Sequence, residues 1–383
     1  MKIHIIPIIA GLLALSAPTV QAIEIEISGY ASFAATMADA TDDSGNDVAY
    51  LNGLATKNPS FDTSDSIIGL QFSSTISKEL DITLVLQADG GSSNYDVTAE
   101  WAYATYKFNE ELSLRMGKYK GSFYMVSDYQ DVGYAYPWAR PPQEVYSTNP
   151  IKALSGLNLV FQTDVGNNLA LLTELYVGSG THSSKYIPST TDDPATGLAT
   201  SLNGQSINFD TVNTSGFNLS LAGDIATFRI GYFDTDVTAA AFNITEKPGT
   251  FLGFGFNLDW KDVVIYSEYI QRDTDPTLAG AFPDQNAYYV TLGYRFNKYL
   301  PYVTYASIEE GKDASPYAQL QSSVALGLRT EITDSAALKI EILSITPEKN
   351  PLAGFNTSSS GYGLFNAPVD SGTVATIKFD LIF

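Results

Sequence analysis

The 383-residue sequence contains no cysteine, which excludes both a disulfide framework and a thiolate metal site. It has two histidines, His4 and His182, so there is little material for a histidine-dependent hydrolase or metal centre. Basic residues are scarce: 21 Lys and Arg against 42 Asp and Glu give a formal charge of −21. That balance argues against a nucleic-acid partner held by phosphate contacts. Beyond residue 22 no apolar run approaches the roughly 20 residues of a membrane-spanning helix. Aromatics are plentiful, with 24 Tyr and 20 Phe. A soluble β-protein and a membrane β-barrel remain.

The first residues, "MKIHIIPIIAGLLALSAPTVQA", have Lys2 ahead of an apolar run from Ile5 to Leu15 and small residues at Val20 and Ala22. This is the pattern of a signal peptide over residues 1–22, with cleavage expected after Ala22. Pro7 interrupts the run, which is too short for a spanning anchor. Loss of Lys2 takes the formal charge from −21 to −22.

Two-residue alternation decides between the classes that remain. "NAYYVTLGYRF" sends Tyr288, Val290, Leu292, Tyr294 and Phe296 to one face and Tyr289, Thr291, Gly293 and Arg295 to the other. "GLNLVFQTD" sets Leu157, Leu159 and Phe161 against Asn158 and Gln162, and "VALGLRT" sets Val324, Leu326 and Leu328 against Ala325, Gly327 and Arg329. One soluble sheet alternates in the same way. Repetition in many segments of about ten residues, the length of a tilted bilayer-spanning strand, points to a barrel.

About sixteen such runs are expected, starting near Glu24, Ser66, Leu80, Thr98, Leu112, Gly156, Leu169, Gly216, Ala226, Thr250, Val263, Asn286, Leu300, Ser322, Ala336 and Gly372. The phase of "VVIYSEYIQ" is ambiguous. Connections alternate between tight ("SKE", "NEE", "AGD", "DWKD") and long stretches such as 37–65, 178–215 and 346–371, as in an up-and-down barrel with one short-turn rim. The expected fold is therefore all-β, a single transmembrane antiparallel up-and-down β-barrel of about 16 strands over residues 23–383.

The last run, "GTVATIKFDLIF", puts Ile377, Phe379, Leu381 and Phe383 on one face. It resembles the terminal strand of Gram-negative outer-membrane barrels, whose final aromatic is read by the barrel-insertion machinery. In strand number, length and a long connection after the fifth strand, the whole chain after residue 22 resembles the Gram-negative porin superfamily, of the trimeric sixteen-stranded diffusion type. The resemblance implies a water-filled channel for small hydrophilic solutes and ions, outer-membrane lipid and lipopolysaccharide as surroundings, a homotrimer, no cofactor and no enzymatic activity. It also implies that the connection at about 117–155 folds inward as a constriction loop. The Pro-Glu-Phe-Gly-Gly-Asp element of enterobacterial diffusion porins is absent, so no solute preference carries over. The run "DVGYAYPWARPPQEVY" resembles a segment of porin-like outer-membrane proteins of marine and related proteobacteria.

A physical argument for the loop stands beside the resemblance. A sixteen-stranded barrel is too wide to discriminate well unless something narrows it. Pro137, Pro141 and Pro142 lower the entropy cost of ordering such a segment. Tyr134, Tyr136 and Trp138 offer apolar bodies with polar tips to brace it. Asp128, Asp131, Arg140 and Glu144 are then expected to present charge to the solute path, the alternative being a surface loop over the mouth. Arg115, Arg229, Arg295, Arg329 and Lys339 take the inward phase near the short-turn rim, with Glu174, Glu268 and Glu341 near mid-depth. Asp39, Asp42, Asp43, Asp47, Asp192 and Asp193 are expected in external loops. The resulting hypothesis is an acidic outer mouth over a basic inner vestibule. Small residues on the outward phase of the first strand (Gly29, Ala31, Ala35) suggest a protein neighbour there.

Other functions have weaker signals. A sugar-type specific channel needs an aromatic run, for which Trp101, Tyr103, Tyr134, Tyr136 and Trp138 are candidates. A barrel enzyme would have to use His182 in "GTHSSKY", where Ser183 and Ser184 are adjacent in sequence only. A structural or adhesive barrel would conduct nothing. "DATDDSGND" does not reproduce the calcium-loop spacing, so no metal site is expected.

Overall fold

A computed structural model describes residues 24–42, 44–50, 55–61, 63–91, 95–166, 168–185, 206–278, 282–310, 320–348, 364–365 and 369–383. The expected signal peptide 1–22 and Asp43, Asp192 and Asp193 lie outside them.

Sixteen strands follow the chain: β1 (Glu26–Ala40), β2 (Ile67–Thr75), β3 (Leu80–Asp89), β4 (Thr98–Lys107), β5 (Leu112–Lys120), β6 (Ala153–Asp164), β7 (Leu169–Lys185) and β8 (Ser206–Gly223). The second half comprises β9 (Ala226–Ala239), β10 (Ile244–Trp260), β11 (Val263–Thr274), β12 (Gln285–Tyr294), β13 (Tyr299–Glu310), β14 (Gln321–Thr333), β15 (Ala336–Pro347) and β16 (Gly372–Ile382). Each pairs antiparallel with its sequence neighbours, and β1 seals against β16 from Tyr30 opposite Ile382 to Ala40 opposite Gly372. The sheet is a closed all-β barrel of sixteen strands with no free edge.

The alternation read from the sequence becomes the two faces of the wall. On β12, Val290 and Leu292 are exposed while Tyr289 and Thr291 are buried. Ile27, Phe33, Met116, Leu175, Val177, Leu219, Leu326, Ile340, Ile342 and Ile377 repeat the exposed, outward apolar pattern around the barrel. A continuous apolar belt of this kind is a membrane-facing surface, far beyond what a water-soluble exterior carries. Near the short-turn rim it ends in exposed aromatics, among them Tyr106, Phe108, Trp260, Tyr294, Phe296, Tyr299 and Phe383, the girdle expected at a bilayer interface. Short turns place Asn168 at φ 63° and Asn297 at φ 54°, a left-handed conformation that asparagine tolerates.

Two strands begin earlier than the alternation predicts: β8 at Ser206 rather than Gly216, and β10 at Ile244 rather than Thr250. Above the membrane both faces of a strand are wet, so the apolar period disappears although the backbone ladder continues. The small outward residue Gly29 also has a local cause. The Phe383 ring lies where a Cβ at Gly29 would sit, and the two residues exchange backbone hydrogen bonds of 2.7 and 3.0 Å. Close packing of the chain's own last residue, rather than a neighbouring protein, accounts for that glycine.

Candidate functional site

The connection between β5 and β6 leaves the wall at Gly121 and returns at Ala153. It carries 3-10 turns at Ser127–Tyr129 and Gly133–Ala135 and one short helix, α1 (Gln143–Tyr146). Its partners locate it. Phe123 packs against Phe233 of β9 and Phe251 of β10, with ring centroids 4.7 and 6.5 Å apart. Met125 N donates to Glu268 of β11 at 2.8 Å, and Trp138 Nε1 donates to Thr291 of β12 at 2.8 Å. Gln321 of β14 donates to Glu144 at 2.6 Å, and a Cβ on Gly133 would meet Asp380 of β16 and Ser32 of β1. β9 and β1 stand on opposite sides of a closed sixteen-strand sheet. A segment can touch the side chains of both only from inside.

Charged groups fasten this segment to the wall. Lys339 Nζ donates to the carbonyls of Gly133 and Trp138 at 2.5 and 2.8 Å, pairs with Asp380 at 2.9 Å and lies 4.5 Å from the Tyr136 ring centroid. Arg329 donates to the carbonyls of Tyr134 and Tyr136 at 2.6 and 3.0 Å. Glu268 accepts from the hydroxyls of Tyr146 and Tyr289, and Glu341 accepts from Tyr302 at 2.6 Å and from Ala139 N at 3.4 Å. Arg140 grips Asp65, just before β2, through Nε and Nη2, the Nε bond being 2.8 Å. These are charge-assisted bonds in buried surroundings, so each is strong once made and costly to break.

Burial alone would raise the Asp65 carboxyl, but the Arg140 guanidinium holds it below its ordinary value. Burial raises the Glu144 carboxyl despite its bond to Gln321. A depressed Asp65 contributes stability that is fully present above the unfolded carboxylate value of about 4 and is lost as pH falls through the lower folded value. The Arg140 clamp is therefore expected to hold equally at pH 7 and pH 5. Asp65→Asn should therefore unsettle the single-channel current at pH 7 and at pH 5 alike.

The structure separates the residues expected at the solute path into two groups. Tyr136, Trp138 and Glu144 do not face open lumen but are buried where the segment packs on the polar inner wall, and the Arg140 side chain is only 12% exposed. Arg329 and Glu174 are also buried, the latter accepting from Asn158 and Asn218 at 3.0 Å each. Arg229 donates to Asn218 and to the Met125 carbonyl at 2.7 and 3.4 Å. Arg295 sits just past β12 at the rim, ion-paired at 2.5 Å with Asp259. Tyr134 reaches the β14–β15 turn, where its hydroxyl donates to Asp334 O at 2.8 Å.

On the β2–β5 side the inner wall is less covered. The Arg115 side chain is 33% exposed, 5.7 Å from the Tyr103 ring centroid and 3.5 Å from Glu174. On the segment, Asp128 is exposed, and Asp131 pairs with Lys120 of β5 at 2.5 Å, which in turn lies 5.1 Å from the Trp101 ring centroid. The five candidate ladder aromatics are thus divided: Trp101 and Tyr103 hold wall cations, while Trp138 packs on Tyr266 and Tyr289, 5.0 and 5.4 Å away. Asp39 is the last residue but one of β1 rather than part of a loop.

Asp65, Gln321, Lys378 and Asp380 escaped the sequence reading. The last two were visible as charges on the inward phase of "IKFD", but not their partners. His182 is buried, its Nε2 2.9 Å from the Thr211 hydroxyl and its ring against Phe209. Ser183 is exposed on the opposite face, away from the buried imidazole. Asp42 accepts from Asn46 Nδ2, Asn46 N and Ser44 N, which lowers its pKa and closes the acidic loop on itself. Among the described residues no group of three or more His, Asp or Glu could hold a metal ion.

No protein-family model and no curated protein matches the sequence. Solved structures do match the fold. The anion-selective porin of Comamonas acidovorans is 10% identical with a TM-score of 0.59, the alignment covering 94% of this chain and 100% of that one. OmpT of Vibrio cholerae in a trimer form, an outer-membrane protein, is 12% identical with a TM-score of 0.54, covering 95% and 100%. OmpF of Salmonella typhi in complex with daunomycin is 12% identical with a TM-score of 0.55, covering 93% and 97%. At these identities the likeness is one of fold: the chain has the barrel architecture of Gram-negative outer-membrane porins.

Proposed function

We propose that this chain is an outer-membrane porin, exported with loss of residues 1–22, that lets small hydrophilic solutes and ions diffuse through a water-filled lumen. One observation carries the reading: a closed sixteen-strand wall, apolar outside and polar inside, is crossed internally by its own β5–β6 connection. Residues 121–152 act as the constriction. Their buried charges fasten the segment along β9–β16 and β1, so the solute path runs along the β2–β5 side. There Arg115, Lys120 and Tyr103 on the wall face Asp128 and Asp131 on the segment. Charges of both signs across a narrow passage give modest selectivity. External loop carboxylates add little, being screened beyond about 8 Å at physiological ionic strength.

Planar-bilayer recording of the purified chain tests the reading, and a barrel that conducts no ions would overturn it. Arg115→Ala is expected to shift the reversal potential in a salt gradient toward cation preference while leaving conductance nearly unchanged. An identical reversal potential would remove Arg115 from the passage.

The fold match to a trimer form of OmpT supports a homotrimer. Native mass measurement in mild detergent should give three copies. The apolar belt fits outer-membrane lipid, with lipopolysaccharide at the loop rim; the exposure of Phe383 at the end of the β1–β16 seam supports its being read by the barrel-insertion machinery. The reading is non-enzymatic: His182 is buried, with its Nε2 taken up by the Thr211 hydroxyl. Hydrolase screens should be negative for the wild type and for His182→Ala alike.

A further inference from the structure

Low on the outer wall the apolar belt has a dent. Phe228, Phe256 and Ser267 stand side by side on β9, β10 and β11, and the row above them carries Ile230, Phe254 and Tyr269. The rings of Phe228, Phe254 and Tyr269 are exposed, whereas Ile230 and Ser267 are half-buried among them. With Leu219 of β8 these residues bound an outward-facing cavity of about 570 Å³. That falls within the roughly 300–1,000 Å³ of small-molecule sites. Arg229 also borders it, but its guanidinium turns inward to Asn218 and the Met125 carbonyl.

Position decides what fills it. β9 starts at Ala226 and β11 at Val263, so every residue of the two rows lies within six positions of a short turn. On tilted strands that is roughly 15 Å or less above the rim, in the lower half of a belt about 25 Å tall. Short turns face the periplasm in such barrels, so the dent opens on the inner leaflet, which is phospholipid rather than lipopolysaccharide. No water reaches this depth, and an unfilled dent forfeits dispersion contacts along its whole lining. A second barrel presents a convex wall that would bridge the projecting rings, whereas a flexible acyl chain follows the floor.

The turn below carries the matching charge. The β10–β11 ladder closes at Trp260 opposite Val263, and Lys261 follows with its Nζ 4.7 Å from the exposed Trp260 ring centroid. A tryptophan and a lysine at this level mark the headgroup region. Lys261 makes no ion pair among the described residues. Of its acidic neighbours, Asp259 is paired with Arg295 at 2.5 Å, and Asp262 accepts from the Tyr294 hydroxyl at 3.5 Å. The lysine is therefore open to a phosphate.

We infer that the dent is a binding site for an inner-leaflet phospholipid, an acyl chain lying over Ile230 between Phe228, Phe254 and Tyr269 and the phosphate toward Lys261. The site goes beyond the general contact of the belt with lipid, because it holds a particular molecule in place. It rests on the membrane-facing wall and not on conduction, so the two are tested apart.

Native mass spectrometry of the full chain, purified from outer membranes in mild detergent, tests it. The wild type is expected to keep a phospholipid at a detergent concentration that strips lipid from the rest of the belt. Ile230→Trp fills the dent from its floor and should cut that retention by about tenfold or more, while circular dichroism reports an intact barrel. Leu326→Trp, at an exposed position on β14, should leave retention unchanged. Because the chain has no cysteine, Ser267→Cys places a single benzophenone label at the edge of the dent. Photolysis in the same detergent should give a phospholipid adduct, and this arm decides if Ile230→Trp does not fold. Absence of retained phospholipid overturns the site, as does retention that folded Ile230→Trp leaves intact or that Leu326→Trp equally abolishes. A cross-linked pair of chains would assign the dent to a second copy, and a lipopolysaccharide adduct would overturn the inner-leaflet placement. Undiminished retention by Lys261→Ala would overturn the headgroup contact.

Discussion

Deleting residues 128–144 is expected to raise single-channel conductance several-fold. Those residues carry most of the contacts that reach β12, β14, β15, β16 and β1, from Trp138 to Thr291 and from Glu144 to Gln321. Without them the ends 121–127 and 145–152 stay pinned near β9–β11 by Phe123, Met125 and Tyr146. The rest of the lumen then reverts to the width of a bare sixteen-strand barrel, which is an open aqueous channel. The bilayer experiment also reads solute size: larger neutral solutes should pass the deleted form and be excluded by the wild type. Unchanged conductance would show that the segment does not set the narrowest point. The deletion uncovers buried carboxylates such as Glu341, so lower thermal stability should accompany the wider channel.

Lys339→Met should have the largest effect of any single substitution. The side chain is fully buried, and methionine matches its length while supplying no charge or donor. The change orphans the Gly133 and Trp138 carbonyls and takes from Asp380 its closer cation, leaving Lys378 at 3.7 Å. Removing one partner from a buried pair costs about 3–5 kcal/mol. Part of that should appear as a lower barrel melting temperature. The remainder should appear as flickering between conductance levels, because the carbonyls Lys339 holds belong to the internal segment. Adding Asp380→Asn would in turn take from the buried Lys378 its ion-pair partner, so the double variant should melt no higher than Lys339→Met. A higher melting temperature would show that Lys378 does not rely on Asp380.

The wall was legible in the sequence wherever one face meets lipid and the other water. Strand starts at Leu80, Thr98, Leu112, Leu169, Ala226, Val263, Ala336 and Gly372 follow directly from alternation and turn chemistry. The signal failed in two physical situations. Above the bilayer, as at Ser206 and Ile244, both faces are wet. On β11 the inward residues Val264 and Ile270 are apolar because the inner segment buries that face, so polarity no longer distinguishes in from out. The site was half legible. An aromatic, proline-rich insertion after the fifth strand stands out, but which charges fasten it does not. Arg140 meets Asp65 across 75 positions and Lys339 meets the Trp138 carbonyl across 201, and no local pattern encodes such pairings. Hence residues assigned to the solute path became anchors.

The seam between β1 and β16 has a consequence for the order of assembly. Every other strand pairs with a neighbour in sequence, so fifteen hairpin-like contacts can form locally and early. Ser32 and Asp380, bonded at 2.5 Å across the seam, are 348 positions apart, and their union must wait for everything between. Until then the two lips are unpaired edges open to the wrong partner. Gly133 abuts both of those residues, so the inner segment sits at the seam like a gasket. The barrel that zips shut without it in place would have to reopen to admit it.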